Sequence, residues 1–369
     1  MRRTIVQSVA CAAILITGAC AGPPAAAGSL SSASQNPESC APVTSTDLNT
    51  RDGWLGLIAR TPETVSLVID DGRGRTVEHR ANEQQPLASA VKVVHLGAYA
   101  RAVTSGILNP DEQISLLEWE RWYVPGSDGR AHPTALNRLG IANDGTAATD
   151  ATATVRLDDM VTAMIQESDN AVPDYLRHRL GADALVDAAA AGGWSDFEAP
   201  SLAAAILILF NPPLAEEDPW DIANRWAFDE QFRIDVGSPA QFPSYEELMT
   251  GVKQHFSEGS AAQLNSMYRS FGDGSFGGGS ETALRQLEYQ PAPHGAEGLG
   301  FKGGNLPGVL TQAFELRRED GTKATAVWLT EGLPADRYEA ATAGVAHQQA
   351  LIIEALNSSD VLDRIACVV

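Results

Sequence analysis

Residues 86–92 read Pro86-Leu87-Ala88-Ser89-Ala90-Val91-Lys92. From Ser89 onward Val91, Val94, Ala98 and Val103 recur at helical spacing and Gly106 offers a stop, which predicts a helix starting at Ser89. Three residues apart on a helix, Ser89 and Lys92 share one face. A serine hydroxyl is a weak nucleophile until a base removes its proton, and lysine acts as that base when burial or nearby cations lower its pKa. The helix N-terminus adds a field favourable to developing negative charge. A serine three residues before a lysine is common by chance, but lysine usage sharpens the signal. The chain has 22 arginines and only four lysines: Lys92, Lys253, Lys302 and Lys323. Arginine stays protonated, whereas lysine can be tuned to act as a base.

Upstream, residues 65–70 and 75–79 have strand character and flank Asp71-Gly72-Arg73-Gly74, which predicts a hairpin. Near the other end, residues 300–304, 309–317 and 324–330 read as strands, with Glu319-Asp320-Gly321 turning between the last two. Residues 335–356 form one long Ala-rich helical pattern, and the middle is dominated by helical segments at 157–180 and 281–287. The apolar run 202–210 fits a buried helix. Strands at both ends around a helical middle predict a sheet assembled from the two termini beside a helical lobe.

Two further short motifs carry chemistry. Ser168-Asp169-Asn170 is read as ordinary helix capping or as a catalytic turn. Lys302-Gly303-Gly304 lies on a predicted strand, where small residues let a substrate backbone approach closely.

Ser-x-x-Lys, Ser-Asp-Asn and Lys-Gly-Gly, in this order, resemble the three signatures of class A β-lactamases and penicillin-binding proteins. The flanks Pro86-Leu87-Ala88 and 300–310 resemble those of the same superfamily, and the likeness spans roughly residues 45–369. It implies an α+β fold: an antiparallel sheet of about five strands flanked by helices, an all-helical lobe, and a site in the cleft between them. It also implies residue roles. Ser89 would be acylated by an amide or ester carbonyl, Lys92 would act as base, and Ser168 would pass a proton to the leaving nitrogen. Asn170 would bind the substrate amide and Lys302 its carboxylate, beside Gly304. The backbone N–H groups of Ser89 and Asn305 would form the oxyanion hole, and Tyr123 a pocket wall.

The sequence departs from the pattern twice. Gly303 stands where threonine is usual in β-lactamases, and no Glu-x-x-Leu-Asn segment follows Ser168. Glu198 is the nearest substitute for the glutamate that activates the deacylating water. The expectation is a serine hydrolase slow to deacylate β-lactams. The alternatives are a D,D-carboxypeptidase or esterase of the cell envelope, and a catalytically silent envelope lipoprotein that acts as a binding module.

The formal charge of −21 argues against a nucleic-acid partner, which needs clustered cations. Arg2, Arg3 and a short apolar run predict an export signal over residues 1–19. Cys20 after Thr17-Gly18-Ala19 resembles a lipidation site that would anchor the chain to the membrane. The rival is free secretion after cleavage at Ala25-Ala26-Ala27. Residues 20–39 are small and polar enough to serve as a tether, leaving 40–369 as the folded domain. In an oxidising compartment Cys40 and Cys367 are expected to pair.

Histidines without paired spacing argue against a metal, and the Gly-rich run 272–279, read as a flexible loop, lacks the lysine of a phosphate cradle. No cofactor is expected. The expected partner of a monomeric chain is a small-molecule or peptide substrate. Residues 211–244, rich in proline, acids and aromatics, are read as a lid, an additional hairpin, or a cover over apolar surface.

Overall fold

The computed structural model describes residues 40–237 and 242–369. The expected signal segment, Cys20 and the tether lie outside the described residues.

Five strands form one antiparallel sheet. They are β1 (Val65–Asp70), β2 (Thr76–His79), β3 (Ala296–Leu306), β4 (Val309–Arg318) and β5 (Lys323–Thr330), in the order β2-β1-β5-β4-β3. The hairpin between β1 and β2 closes as expected, with Asp71 Oδ1 accepting from the Arg73 and Arg75 amides. Gly72 is required there: it sits at φ +68°, and a Cβ would lie 1.9 Å from Lys323 O.

The three central strands β1, β5 and β4 are buried over nearly their whole length because both faces are covered, with side chains alternating between two cores. Leu67, Ile69, Phe314, Leu316, Ala326 and Trp328 face one core, with helices α1 (Arg51–Arg60) and Val345–Asn357. Val68, Ala313, Val327 and Leu329 face the other.

That second core continues into the helical lobe. Its helices include α2 (Lys92–Thr104), α3 (Ala131–Arg138), α4 (Leu157–Gln166), α5 (Ala171–Leu180), α6 (Ala182–Ala191), α7 (Leu202–Phe210), α8 (Ala261–Asp273) and α9 (Ser280–Leu287). Helix α8 lies across β1, β4 and β5, while α2 is packed among α4, α5, α6 and α9. The β3 edge of the sheet meets the turn that opens α2, so the cleft lies between sheet and lobe.

Several expectations need correction. The helix expected from Ser89 begins as a 3-10 turn, Ala88–Val91, and becomes α-helical only at Lys92. The segment 157–180 is two helices, because Ser168 adopts φ +74° and breaks the run. The pattern over 335–356 is also two helices, Ala335–Ala343 and Val345–Asn357. Gly344 breaks it where the chain passes Leu48: a Cβ would lie 2.2 Å from Leu48 O, and Trp54 Nε1 donates to the carbonyls of both residues.

Residues 211–244 hold no hairpin among the described residues. Helices Pro219–Phe228 and Glu230–Val236 stand there, with Trp220 stacked on Trp122 and Trp226 Nε1 donating to Tyr123 O. These aromatics cover apolar surface of the lobe. Cys40 and Cys367 form a disulfide that spans 327 positions. No described helix is long and apolar enough to cross a membrane.

Candidate active site

Five polar side chains converge where α2, the turn between α4 and α5, and β3 meet. Lys92 Nζ lies 3.0 Å from Ser89 Oγ, 3.2 Å from Ser168 Oγ, 2.6 Å from Ser168 O and 2.6 Å from Asn170 Oδ1. Lys302 Nζ donates to Ser168 Oγ at 2.9 Å and to Gly303 O at 2.8 Å. Lys92 and Lys302 are buried, while Ser89 and Ser168 remain half-buried and so open to the cleft.

The partners of Lys92 decide what it can do. The carbonyl oxygens of Ser168 and Asn170 only accept, so they take two N–H bonds. In the neutral amine this leaves the lone pair directed toward the hydroxyls of Ser89 and Ser168. Burial drives the Lys92 pKa down, against the fields of Asp169, Asp128 and Asp174, to about 7. Burial, and then the charge of Lys92, hold Lys302 well below the usual lysine range. The arrangement can remove a proton from a serine hydroxyl at neutral pH and pass protons along Ser89, Lys92, Ser168 and Lys302.

The local backbone is strained to achieve this. Ala88 sits at φ +49° and Ser168 at φ +74°, the left-handed region that costs an ordinary residue about 1–3 kcal/mol. Asp169 holds the second turn: its Oδ1 accepts from the amides of Ala171 and Val172, capping α5, and its own amide donates to Ala163 O. The triplet thus caps a helix and also brings Ser168 and Asn170 to Lys92.

Gly304 also has a role within the fold. A Cβ there would lie 2.6 Å from Ser89 N and 2.9 Å from Ala90 N, so its lack of a side chain lets β3 approach the serine turn closely. Asn305 is the next residue on the same edge strand and is exposed. Tyr123 is buried, with its hydroxyl donating to Asp128 Oδ1 and its ring stacked on His132. Asn170 Nδ2 donates to Ser127 O, so the loop after Tyr123 is tied to the same turn.

Glu198 is exposed, on the loop before α7, and lines a groove of about 570 Å³ with Trp194, Phe197, Trp220 and Phe256. Among the described residues no carboxylate lies within hydrogen-bonding distance of Ser89, Lys92, Ser168 or Lys302.

Sequence reasoning missed two buried groups. Asp174, one turn beyond Asn170 on α5, accepts from the Ala203 amide at 2.8 Å and ties the start of α7 to the lobe. Its position four residues after Asn170 was the available signal. His132 packs against Asp169 from 37 positions away, and no local pattern marks it. Among the described residues no group of three or more His, Cys, Asp or Glu could hold a metal ion.

Residues 54–205 match the sequence model of the β-lactamase enzyme family, a span that includes Ser89, Lys92 and the 168–170 turn. No curated protein matches the chain. Among solved structures, the β-lactamase from Sphaerobacter thermophilus DSM 20745 is 18% identical, aligned over 84% of this chain and 97% of that one, with a TM-score of 0.52. A β-lactamase from Chitinophaga pinensis DSM 2588 is 13% identical over 79% of this chain and 94% of that one, with a TM-score of 0.51. A β-lactamase from Xanthomonas campestris pv. campestris str. ATCC 33913 is 15% identical over 82% and 99%, with a TM-score of 0.50. The five-stranded antiparallel sheet with its helical lobe is the fold these proteins share.

Proposed function

We propose that this chain is an exported serine hydrolase of the β-lactamase and penicillin-binding protein type, acylated on Ser89 by amide or ester carbonyls. The observation that carries this reading is the position of Lys92 Nζ, 3.0 Å from Ser89 Oγ with two obligate acceptors taking its N–H bonds. In the forward step, neutral Lys92 takes the Ser89 proton as Oγ attacks the carbonyl carbon. The proton then passes through Ser168 to the leaving nitrogen. The backbone N–H groups of Ser89 and Asn305 receive the developing oxyanion, and Lys302 meets the substrate carboxylate.

Among the described residues no carboxylate is a hydrogen-bond partner of Ser89, Lys92, Ser168 or Lys302, which supports slow deacylation. Losing general-base help typically costs about 10² to 10⁴ in rate. The preferred substrates are β-lactams or cell-wall peptides, turned over as a penicillin-binding protein would. Export is supported by the Cys40–Cys367 disulfide, which suits an oxidising compartment, and a lipid on Cys20 would tether a monomeric domain to the membrane.

The test is a time course of penicillin opening beside D-alanine release from a cell-wall pentapeptide. A burst equal to the enzyme concentration followed by slow turnover is expected. Rapid steady hydrolysis of penicillin would refute slow deacylation, and inertness toward both substrates would favour the silent binding module.

A further inference from the structure

His132, in the first turn of α3, is fully buried between two carboxylates. Its Nδ1 lies 2.6 Å from Asp169 Oδ2 and its Nε2 lies 3.2 Å from Glu120 Oε1. The ring is stacked on Tyr123 with centroids 4.4 Å apart and meets the edge of Trp119 at 4.8 Å. An ionised carboxylate only accepts, so both ring nitrogens must carry hydrogen for these contacts to be bonds. Two acceptors on opposite ring nitrogens suit an imidazolium sealed in the lobe.

Asp169 turns its other oxygen to Trp119 Nε1 and to the Ala171 and Val172 amides. It stands between Ser168 and Asn170, the residues whose carbonyls hold Lys92 Nζ. An uncompensated carboxylate there would keep Lys92 protonated, because charges interact strongly in a dry interior.

We propose that doubly protonated His132 is a positioning residue for acylation: it cancels the charge of Asp169 behind the serine–lysine pair and fixes the 168–170 turn, freeing Lys92 to give up its proton and serve as base. This rests on the reading of Lys92 as the base for Ser89.

The surrounding charges are consistent with this assignment. Lys92 is faced by Asp169, Asp128 and Asp174 and by the amine of Lys302, with neutral His95 on its own helix. His132 is faced by Asp169, by Glu120, and by Asp128, whose Oδ2 accepts from the His132 amide at 2.7 Å. Burial alone would lower the His132 pKa. Asp169, followed by Glu120, outweighs it and pushes the value up to about 9.

The experiment has two arms on the full exported chain. Nitrogen-15 NMR of the histidines reads the charge directly. Both His132 nitrogens are expected in the protonated range at pH 7, and a neutral tautomer there overturns the proposal. In the second arm, acylation by penicillin is measured from pH 5 to 9.5 for wild type and His132→Gln. The midpoint of the acid limb is expected to rise by about one unit or more, roughly a tenfold loss at pH 6, with the rate recovering at high pH. A purely structural role lowers the rate at every pH without moving the midpoint, and that result overturns the proposal.

If His132→Gln does not fold, Glu120→Gln carries the test. His132 should then deprotonate at lower pH and the Lys92 midpoint should rise, and an unmoved His132 titration counts against the proposal. If the wild type takes no acyl group at any pH, the reading of Ser89 fails by itself. The Lys92 titration, followed by NMR in wild type and variant, then replaces the rate profile.

Discussion

Ser168 Oγ lies 2.9 Å from Lys302 Nζ, so one hydroxyl joins the two buried amines of the cleft, the other being Lys92 at 3.2 Å. Two ammonium groups sharing one hydroxyl in a dry site repel, and burial disfavours both charges. Burial holds both amines below the usual lysine range, and the charge of Lys92 lowers Lys302 further.

For Lys92 this sets the pH dependence of acylation. Its pKa, lowered by burial to about 7, means the base form fills as pH rises through neutrality. The acylation rate of a β-lactam should climb tenfold per pH unit below about 7 and level off above it. Stopped-flow acylation across pH 5 to 9 checks this, and a limb centred near 10 would contradict it.

For Lys302 it sets a proton balance. The side chain lies well below the ordinary lysine range in the free protein, through burial and then the charge of Lys92. A substrate carboxylate arriving beside it would restore the charge. Binding of penicillin to Ser89→Ala should therefore take up a proton, measured by calorimetry in buffers of different ionisation enthalpy. A binding heat independent of buffer would count against the contact.

Gly304 tests the packing of the edge strand on the serine turn. In Gly304→Ala the new methyl would stand 2.6 Å from Ser89 N, and backbone on both sides cannot swing aside. The expected cost is about 1–3 kcal/mol of stability and a loss of at least about tenfold in acylation. Thermal unfolding and acylation kinetics read the two effects, and wild-type behaviour in both would show that the strands separate freely.

Asp174 gives a stabilising substitution. Burial pushes its carboxyl up to about 6, against the Ala203 amide, Ser201 and Arg177. A carboxyl whose pKa rises on folding favours the fold below its unfolded value, near about 4. That contribution disappears as pH climbs through 6. At pH 7.5 the ionised group costs up to about 3 kcal/mol. Asp174→Asn keeps an acceptor for the Ala203 amide, so it should be more stable than wild type at pH 7.5 and match it near pH 4. Denaturant unfolding at both values decides, and lower stability at pH 7.5 would contradict the account.

The parts of this site legible in the sequence are those fixed by short-range geometry. Ser89 and Lys92 are three residues apart, and that spacing brings them together in a 3-10 turn as it would in a helix. The β1–β2 hairpin follows from Asp71 and Gly72, whose conformations are local. The single helical pattern over 335–356 does not reveal the break at Gly344, because that break is set by close contact with Leu48, nearly 300 positions away. The break at 167–170 depends on Ser168 accepting a left-handed backbone so that Lys92 can reach its carbonyl. His132 was invisible for the same reason: its meaning lies in Asp169 and Glu120, which only the folded lobe brings to it.

The central claim is that Lys92 activates Ser89. It is tested most directly by mapping the adduct formed with penicillin, and its rate, in wild type and Lys92→Met. The account predicts one acyl group on the peptide containing Ser89 in the wild type and at least about 10²-fold slower labelling in the variant. An adduct on any other residue, or equal labelling of Lys92→Met and wild type, would contradict it.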